Sequence, residues 1–169
     1  MNNFALETHC LGVLLRRPWL LFRVDRSLQE HGLDRLTPSD FQHADHQAIL
    51  RLFQEAVDQD MAEPLNFVFN SLSLPMMDMA DGLLARTAEL DPNEERVMDD
   101  LMRGLLELRR RNLHQEIEYT RFLMEEAQDR GDAKATQYLQ IMVQHTEIKR
   151  RLDRAIQRYT SRSSLVRVQ

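Results

Sequence analysis

The sequence predicts an all-α protein, and three observations carry that prediction. Its 169 residues include only five Gly and five Pro, and Leu, Arg, Glu, Gln, Met and Ala dominate; this is the composition of helices. Apolar residues recur at spacings of three and four along most of the chain, and no segment suggests a strand. Helix-start residues and breakers fall largely between the periodic segments. The length fits one domain, or one domain with a small appendage, and is enough to bury a sizeable core.

The opening stretch "NNFALETHCLGVLLRRPWLLFRVDRSLQEHG" reads as two helices. Phe4, Leu6, Cys10, Leu11, Leu14 and Leu15 fall at helical spacing, and Pro18 sits where a second helix begins. Gly32 follows that helix as its C′ residue. "TPSDFQHADHQAILRLFQEAVDQ" supplies a turn and then a helix with Ile49, Leu50, Phe53 and Val57 on one side. Thr37 before Pro38, or Ser39 before its acids, marks its start. Pro64 and Pro75 then divide the chain into short helices, and Gly82 weakens the second of them.

From Asp91 the pattern sharpens. Asp91 caps, Pro92 takes the first helical position, and Glu94, Glu95, Asp99 and Asp100 suit the positive end of the helix dipole. No breaker follows until Gly131 except Gly104, which gives a helix of about 37 residues and about 55 Å. Bending is expected to concentrate near Gly104. Asp132 caps a last helix running to about Thr160, which leaves residues 161–169 as a loose tail. The division expected is a helix bundle over residues 1–105, a connecting helix with an antiparallel helical hairpin over 106–160, and the tail.

Within the last helix, Tyr138, Ile141, His145, Ile148, Leu152, Ala155 and Tyr159 alternate spacings of three and four, a heptad seam. Leu113, Ile117, Met124 and Ala127 offer a facing stripe, and "QDRGDA" is a turn short enough to make the two helices antiparallel neighbours. Two helices form a thin structure, and Tyr119, Phe122, Leu123, Ile156 and Tyr159 exceed what the pair can cover. Either the surplus binds a partner, or the hairpin folds back and completes the bundle core. On the first reading the apolar face of the final helix, Ile148, Leu152, Ile156 and Tyr159, is the candidate partner-binding site.

Charge is unevenly placed around a net of −5. Residues 55–100 carry twelve acids against Arg86 and Arg96, and residues 149–169 carry seven bases against Asp153. The asymmetry suggests charged partner surfaces or simply well-solvated helix faces. The single cysteine, Cys10, excludes an intramolecular disulfide framework and fits a reducing compartment. No apolar run is long enough to span a bilayer and no secretion signal opens the chain, so a cytoplasmic protein without a membrane partner is expected.

Little in the chain looks catalytic. Asp40, His43 and His46 form D-x-x-H-x-x-H, a spacing that can bind metal on a helix face, but the stretch straddles a loop and has no second ligand cluster. No Glu-x-x-His occurs, which argues against a di-iron bundle. Cys10 reads as a buried inert thiol and His145 as an interior seam residue. Phosphate loop, nucleophile elbow and H-E-x-x-H signatures are missing. Neither an enzyme, a metal nor a cofactor is expected. Arg109, Arg110 and Arg111, with Lys149, Arg150, Arg151, Arg154 and Arg158, are the candidates for phosphate contact. Consecutive helical residues point about 100° apart, however, so the triplet is no single patch. Aromatic side chains are not interleaved with these bases and the chain is acidic, which disfavours direct nucleic-acid binding. The triplet reads instead as a solvated crossing between two packed units.

The order of features resembles the C-terminal domain of bacterial replicative DNA primase. "ALETHCLGVLLRRPWLLFRV" is similar to that domain's opening: an acid, a Leu-rich helix, a basic-Pro step, then "WLL". "LTPSDFQHADHQAILRLFQEA" resembles its next unit, and "VMDDLMRGLLELRRRNLHQEIE" its late helix, where Leu-Glu-Leu-Arg passes into a polar stretch. The resemblance covers about residues 5–160 and rests on diffuse helical patterns. It implies a bundle followed by a helical hairpin that docks onto the N-terminal domains of the hexameric replicative helicase, couples priming to unwinding and stimulates the helicase. It also implies an excised, non-enzymatic portion, since primer synthesis in that family belongs to upstream zinc-binding and polymerase regions. The N-terminal domain of the helicase itself shares the early "LGVLL…P…DF…H…I…F" pattern and is the alternative, with a helical nucleic-acid-binding module as a third. The Leu-Glu-Leu-Arg passage favours primase.

Overall fold

The computed structural model describes residues 2–166, and side chains as far as Ser161. These residues form α1 (Asn3–Arg16), α2 (Leu20–Glu30), a 3-10 turn (Pro38–Asp40), α3 (Ala44–Asp58), α4 (Pro64–Ser71), α5 (Leu74–Arg86), α6 (Glu94–Asp129) and α7 (Lys134–Val166). No strand occurs among the described residues. The all-helical class follows the sequence, and so do the breaks at Pro64 and Pro75, which take the first turns of α4 and α5.

Several ends differ from the sequence reading by a few residues, each for a local reason. Thr37 and Ser39 do not start α3. The Thr37 N–H donates to Asp40 Oδ2 at 2.9 Å and closes the 3-10 turn instead. Phe41 then drops in extended conformation into the core, which a continuous helix here would not allow. His43 caps α3, its Nδ1 accepting from Asp45 N–H. At the start of α6 the cap is Asn93, which accepts from Glu95 N–H, while Asp91 accepts from Asn93 N–H. Gly32 and Gly131 end α2 and α6 with φ of 71° and 64°, left-handed values that suit glycine. Asp132 accepts from Lys134 N–H at the start of α7. That helix continues to Val166, six residues into the stretch expected as a tail; residues 167–169 lie outside the described residues.

α1 is the centre of the core, with Cys10, Leu11, Val13, Leu14 and Leu15 all buried. Two glycines set how closely its neighbours approach. A Cβ on Gly12 would stand 2.8 Å from Leu83 O of α5, and one on Gly104 would stand 2.8 Å from Cys10 Sγ. Gly104 is therefore packed against α1, and α6 runs through it as one continuous helix. At the glycine where bending was expected, α1 packs closely, because the place of the missing side chain is filled by the cysteine.

Packing of α6 on the bundle continues past residue 105, through Leu106, Leu108 and Leu113. After the turn at 130–133, α7 returns along α6. Its later part joins the same core through Leu152, Ala155 and Tyr159. Tyr159 Oη and Ser27 Oγ of α2 share a buried 2.5 Å hydrogen bond, and Arg151 Nη1 donates to Gly32 O at 2.9 Å. Between Leu113 and Leu152, by contrast, the buried residues are Thr120 and Ala127.

Candidate partner-binding site

The four residues expected to bind a partner separate into two groups. Leu152 is 1 % exposed and Tyr159 4 %. Ile156 is half-buried and packs on the core. Only Ile148, at 42 %, lies open. The apolar stripe is real, but α2 and the core cover its later half, as in the alternative where the hairpin completes the bundle. Leu152, Ile156 and Tyr159 are contacts within the chain.

Large apolar side chains stay exposed on the stretch where α6 and α7 have little else to cover: Tyr119, Phe122, Leu139, Ile141, Val143 and Ile148. Tyr119 and Phe122 belong to the surplus on α6 that the sequence indicated, whereas Leu123, the third, is half-buried. Leu139 and Val143 were missed because they fall outside the heptad seam. Ile141 and Ile148 stand seven residues apart on one stripe of α7. Ile148 shares a cleft with Glu116, and Tyr119 follows Glu116 by three residues, so Tyr119, Ile141 and Ile148 border one side of the pair, while Leu139 and Val143 lie about 160° around α7 from Ile141. The opposite side holds a groove of about 400 Å³. Its floor is Leu113, Ile117 and Leu152, with Arg110, Arg121 and Lys149 among its rim.

His145 lies in the seam as expected, with Nε2 3.7 Å from Glu116 Oε2 and Nδ1 buried without a hydrogen-bond partner.

The arginine triplet fans around α6, and of the three only Arg110 stays largely in solvent. Arg109 is mostly buried and grips Asp40 with two bonds of 2.9 and 3.0 Å, and also donates to Arg35 O. Arg110 and Arg111 both donate to Glu107, and Arg111 reaches Asn3 Oδ1 at 2.8 Å. The hydrogen bond from Arg110, followed by that from Arg111, outweighs burial and brings the Glu107 carboxyl down to about 2. Gln42 adds bonds to Asn112 and Gln115, and Asn3 donates to Gln42. Polar side chains thus cross-brace the segment where α6 leaves the bundle.

The D-x-x-H-x-x-H residues are each committed elsewhere. Asp40 holds Arg109, His43 caps α3, and His46 is buried beside Glu7 with Nδ1–Oε2 at 2.8 Å. Glu7 also accepts from the backbone N–H of Gln42 and of His43. Burial pushes its carboxyl up, but the His46 bond and the two backbone bonds prevail and hold it below the ordinary value. Among the described residues, no three His, Cys, Asp or Glu side chains are grouped to hold a metal ion. Cys10 is buried, and burial together with the nearby Glu7 charge pushes its thiol up to about 12; such a thiol is inert. No helix among the described residues is long and apolar enough to cross a membrane.

No family model, curated protein or solved structure matches the chain.

Proposed function

We propose that the chain is a non-catalytic interaction domain, the helicase-binding domain of a bacterial DNA primase. Its α6–α7 pair acts as an antiparallel hairpin that docks on the N-terminal domains of the replicative helicase and couples primer synthesis to unwinding. The observation that supports this reading is the apolar surface of the pair: six large side chains stand open on a stretch that buries only Thr120 and Ala127. Exposed apolar stripes on a protruding helix pair are the usual form of a helix-in-groove or helix-packing contact. The engagement of Arg109, Arg110 and Arg111 in ion pairs within the chain speaks against the nucleic-acid alternative. The contact residues proposed are therefore Tyr119, Phe122, Ile141 and Ile148.

A sizing column tests this. The chain is mixed with purified bacterial replicative helicase and, separately, with single-stranded DNA. Co-elution with helicase, lost in Tyr119→Asp and Ile141→Asp, is the expected result. Binding to DNA alone would sink the proposal, and self-association together with binding to primase would favour the helicase-derived alternative.

A further inference from the structure

α1 and the end of α5 approach closely where Gly12 meets Leu83 and Thr87. One turn and more away, a cleft of about 210 Å³ lies between them, lined by Phe4, Thr8, Asp78, Met79, Gly82, Leu83 and Arg86. Three features in and beside it suggest an outside partner. Thr8 is 95 % buried, at 5 % exposure, and its hydroxyl has no hydrogen-bond partner; native proteins rarely leave such a group unsatisfied. Gly82 stands in the middle of α5, where glycine weakens a helix, yet a Cβ there would meet nothing within 4 Å. Finally, Leu74, Asp78, Gly82 and Arg86 form an exposed row at spacings of four, and Asp78 and Arg86 make no ion pair or hydrogen bond among the described residues.

We propose that this cleft receives one helix of a partner protein, laid along α5 with its backbone close to Gly82. The row sets the chemistry of that helix. From Asp78 to Arg86 is about 12 Å along α5, the span of two helical turns and beyond a small zwitterion. A partner helix meets it with a cation opposite Asp78 and an acid about seven residues away opposite Arg86. Between them, an apolar side chain bearing a hydrogen-bonding group fills the cleft against Phe4, Met79 and Leu83 and, as Thr8 turns about χ1 to bring its enclosed hydroxyl to the cleft, satisfies it. Tyrosine fits that description. Gly82 keeps the approach open, as small residues do where helices pack closely. This surface is built from α1 and α5, apart from the α6–α7 pair, and does not depend on the reading of that pair.

The probe is a stapled helical peptide of about fifteen residues with Lys and Glu seven apart on one face and Tyr between them. Amide and methyl NMR of the full chain reads the contact. The expected result is saturable shifts centred on Thr8, Gly82 and Arg86, weakened about fivefold when the peptide Tyr is Phe, the cost of one hydrogen bond. Thr8→Val removes that preference. Peptides with two Lys or two Glu bind more weakly than the mixed one, and Asp78→Lys reverses the order in favour of two Glu. Gly82→Leu, which puts a good helix former into α5, abolishes the shifts. Absence of saturable shifts at Gly82 and Thr8 with about 1 mM peptide, or binding that survives Gly82→Leu, overturns the proposal.

Discussion

Glu7→Gln is the most informative substitution in the bundle. Glu7 and His46 are each 1 % exposed, and the Glu7 carboxyl is held ionised below its ordinary value by its hydrogen bonds. A carboxylate only accepts, so His46 Nδ1 carries the proton in their 2.8 Å bond. The same carboxylate accepts from Gln42 and His43, the two residues ahead of α3, and ties the start of that helix to α1. Glutamine keeps the shape but turns one acceptor into a donor facing a donor, and makes the remaining bonds neutral. One unsatisfied buried donor and the weakening of two charge-assisted bonds together cost about 3 kcal/mol. With an unfolding entropy of about 2.1 cal/mol/K per residue, that lowers Tm by about 8 °C. Urea denaturation over a pH series separates the cause. Because the folded carboxyl titrates below the ordinary 4.5, its stabilisation is complete above that value and is lost as pH falls through the folded one. The gap between wild type and Glu7→Gln should be full at pH 7 and narrow below about pH 4.5. A loss under about 1 kcal/mol at pH 7, or a gap that does not narrow in acid, would refute the assignment.

Four further outcomes are expected. Tyr159→Phe removes the bond to buried Ser27, costing about 1–2 kcal/mol and speeding amide exchange in the later part of α7. Leu152→Asp places a charge in the core and lowers stability by about 3 kcal/mol or more, whereas Ile148→Asp changes it by about 0.5 kcal/mol or less; equal thermal shifts would contradict their different burial. The Cys10 thiol, raised to about 12, should react with a thiol reagent at pH 8 only at the rate of global unfolding. Gly104→Ala drives a methyl to within 2.8 Å of Cys10 Sγ and costs about 1–3 kcal/mol. In a Cys10→Ala background the same change becomes stabilising by up to about 1 kcal/mol, since the next atom, Leu6 Cδ2, is 3.9 Å away.

Local signals carried well from sequence to fold. Prolines at the first turns of α4 and α5, Gly32 and Gly131 in left-handed conformation, and Asp132 at the start of α7 are all effects of neighbours within four residues. What depended on distant partners did not. The fanning of Arg109, Arg110 and Arg111 follows from helix geometry, but Asp40 lies 69 residues from Arg109, and nothing local predicts that their side chains meet. The stripe Ile148, Leu152, Ile156 and Tyr159 was legible as apolar, yet its cover is α2, whose Ser27 is 132 residues from Tyr159. In the sequence Glu7 is an acid inside an apolar helix. That oddity was the available clue to a buried pair, and with it the D-x-x-H-x-x-H spacing reads as a cap and two tethers.

These tethers also explain how the outer part of α6 and α7 can be helical while burying so little. Two helices joined by a turn, with Thr120 and Ala127 as their buried residues, would be marginal in isolation, because helix nucleation is unfavourable and burial is what usually offsets it. Here α6 is already nucleated inside the bundle: Leu101, Leu105 and Leu108 are buried against it, and Arg109, Arg111 and Asn112 fasten the next turn to Asp40 and Asn3. Beyond that point each added residue extends an existing helix, the favourable step. The returning α7 is fixed at its far end by Arg151, Leu152 and Tyr159 on α2 and the core. Anchored at both roots, the pair has no need to hide Tyr119, Phe122, Ile141 and Ile148 in order to stay folded. A surface that stability does not require to be covered is one that a partner is free to use.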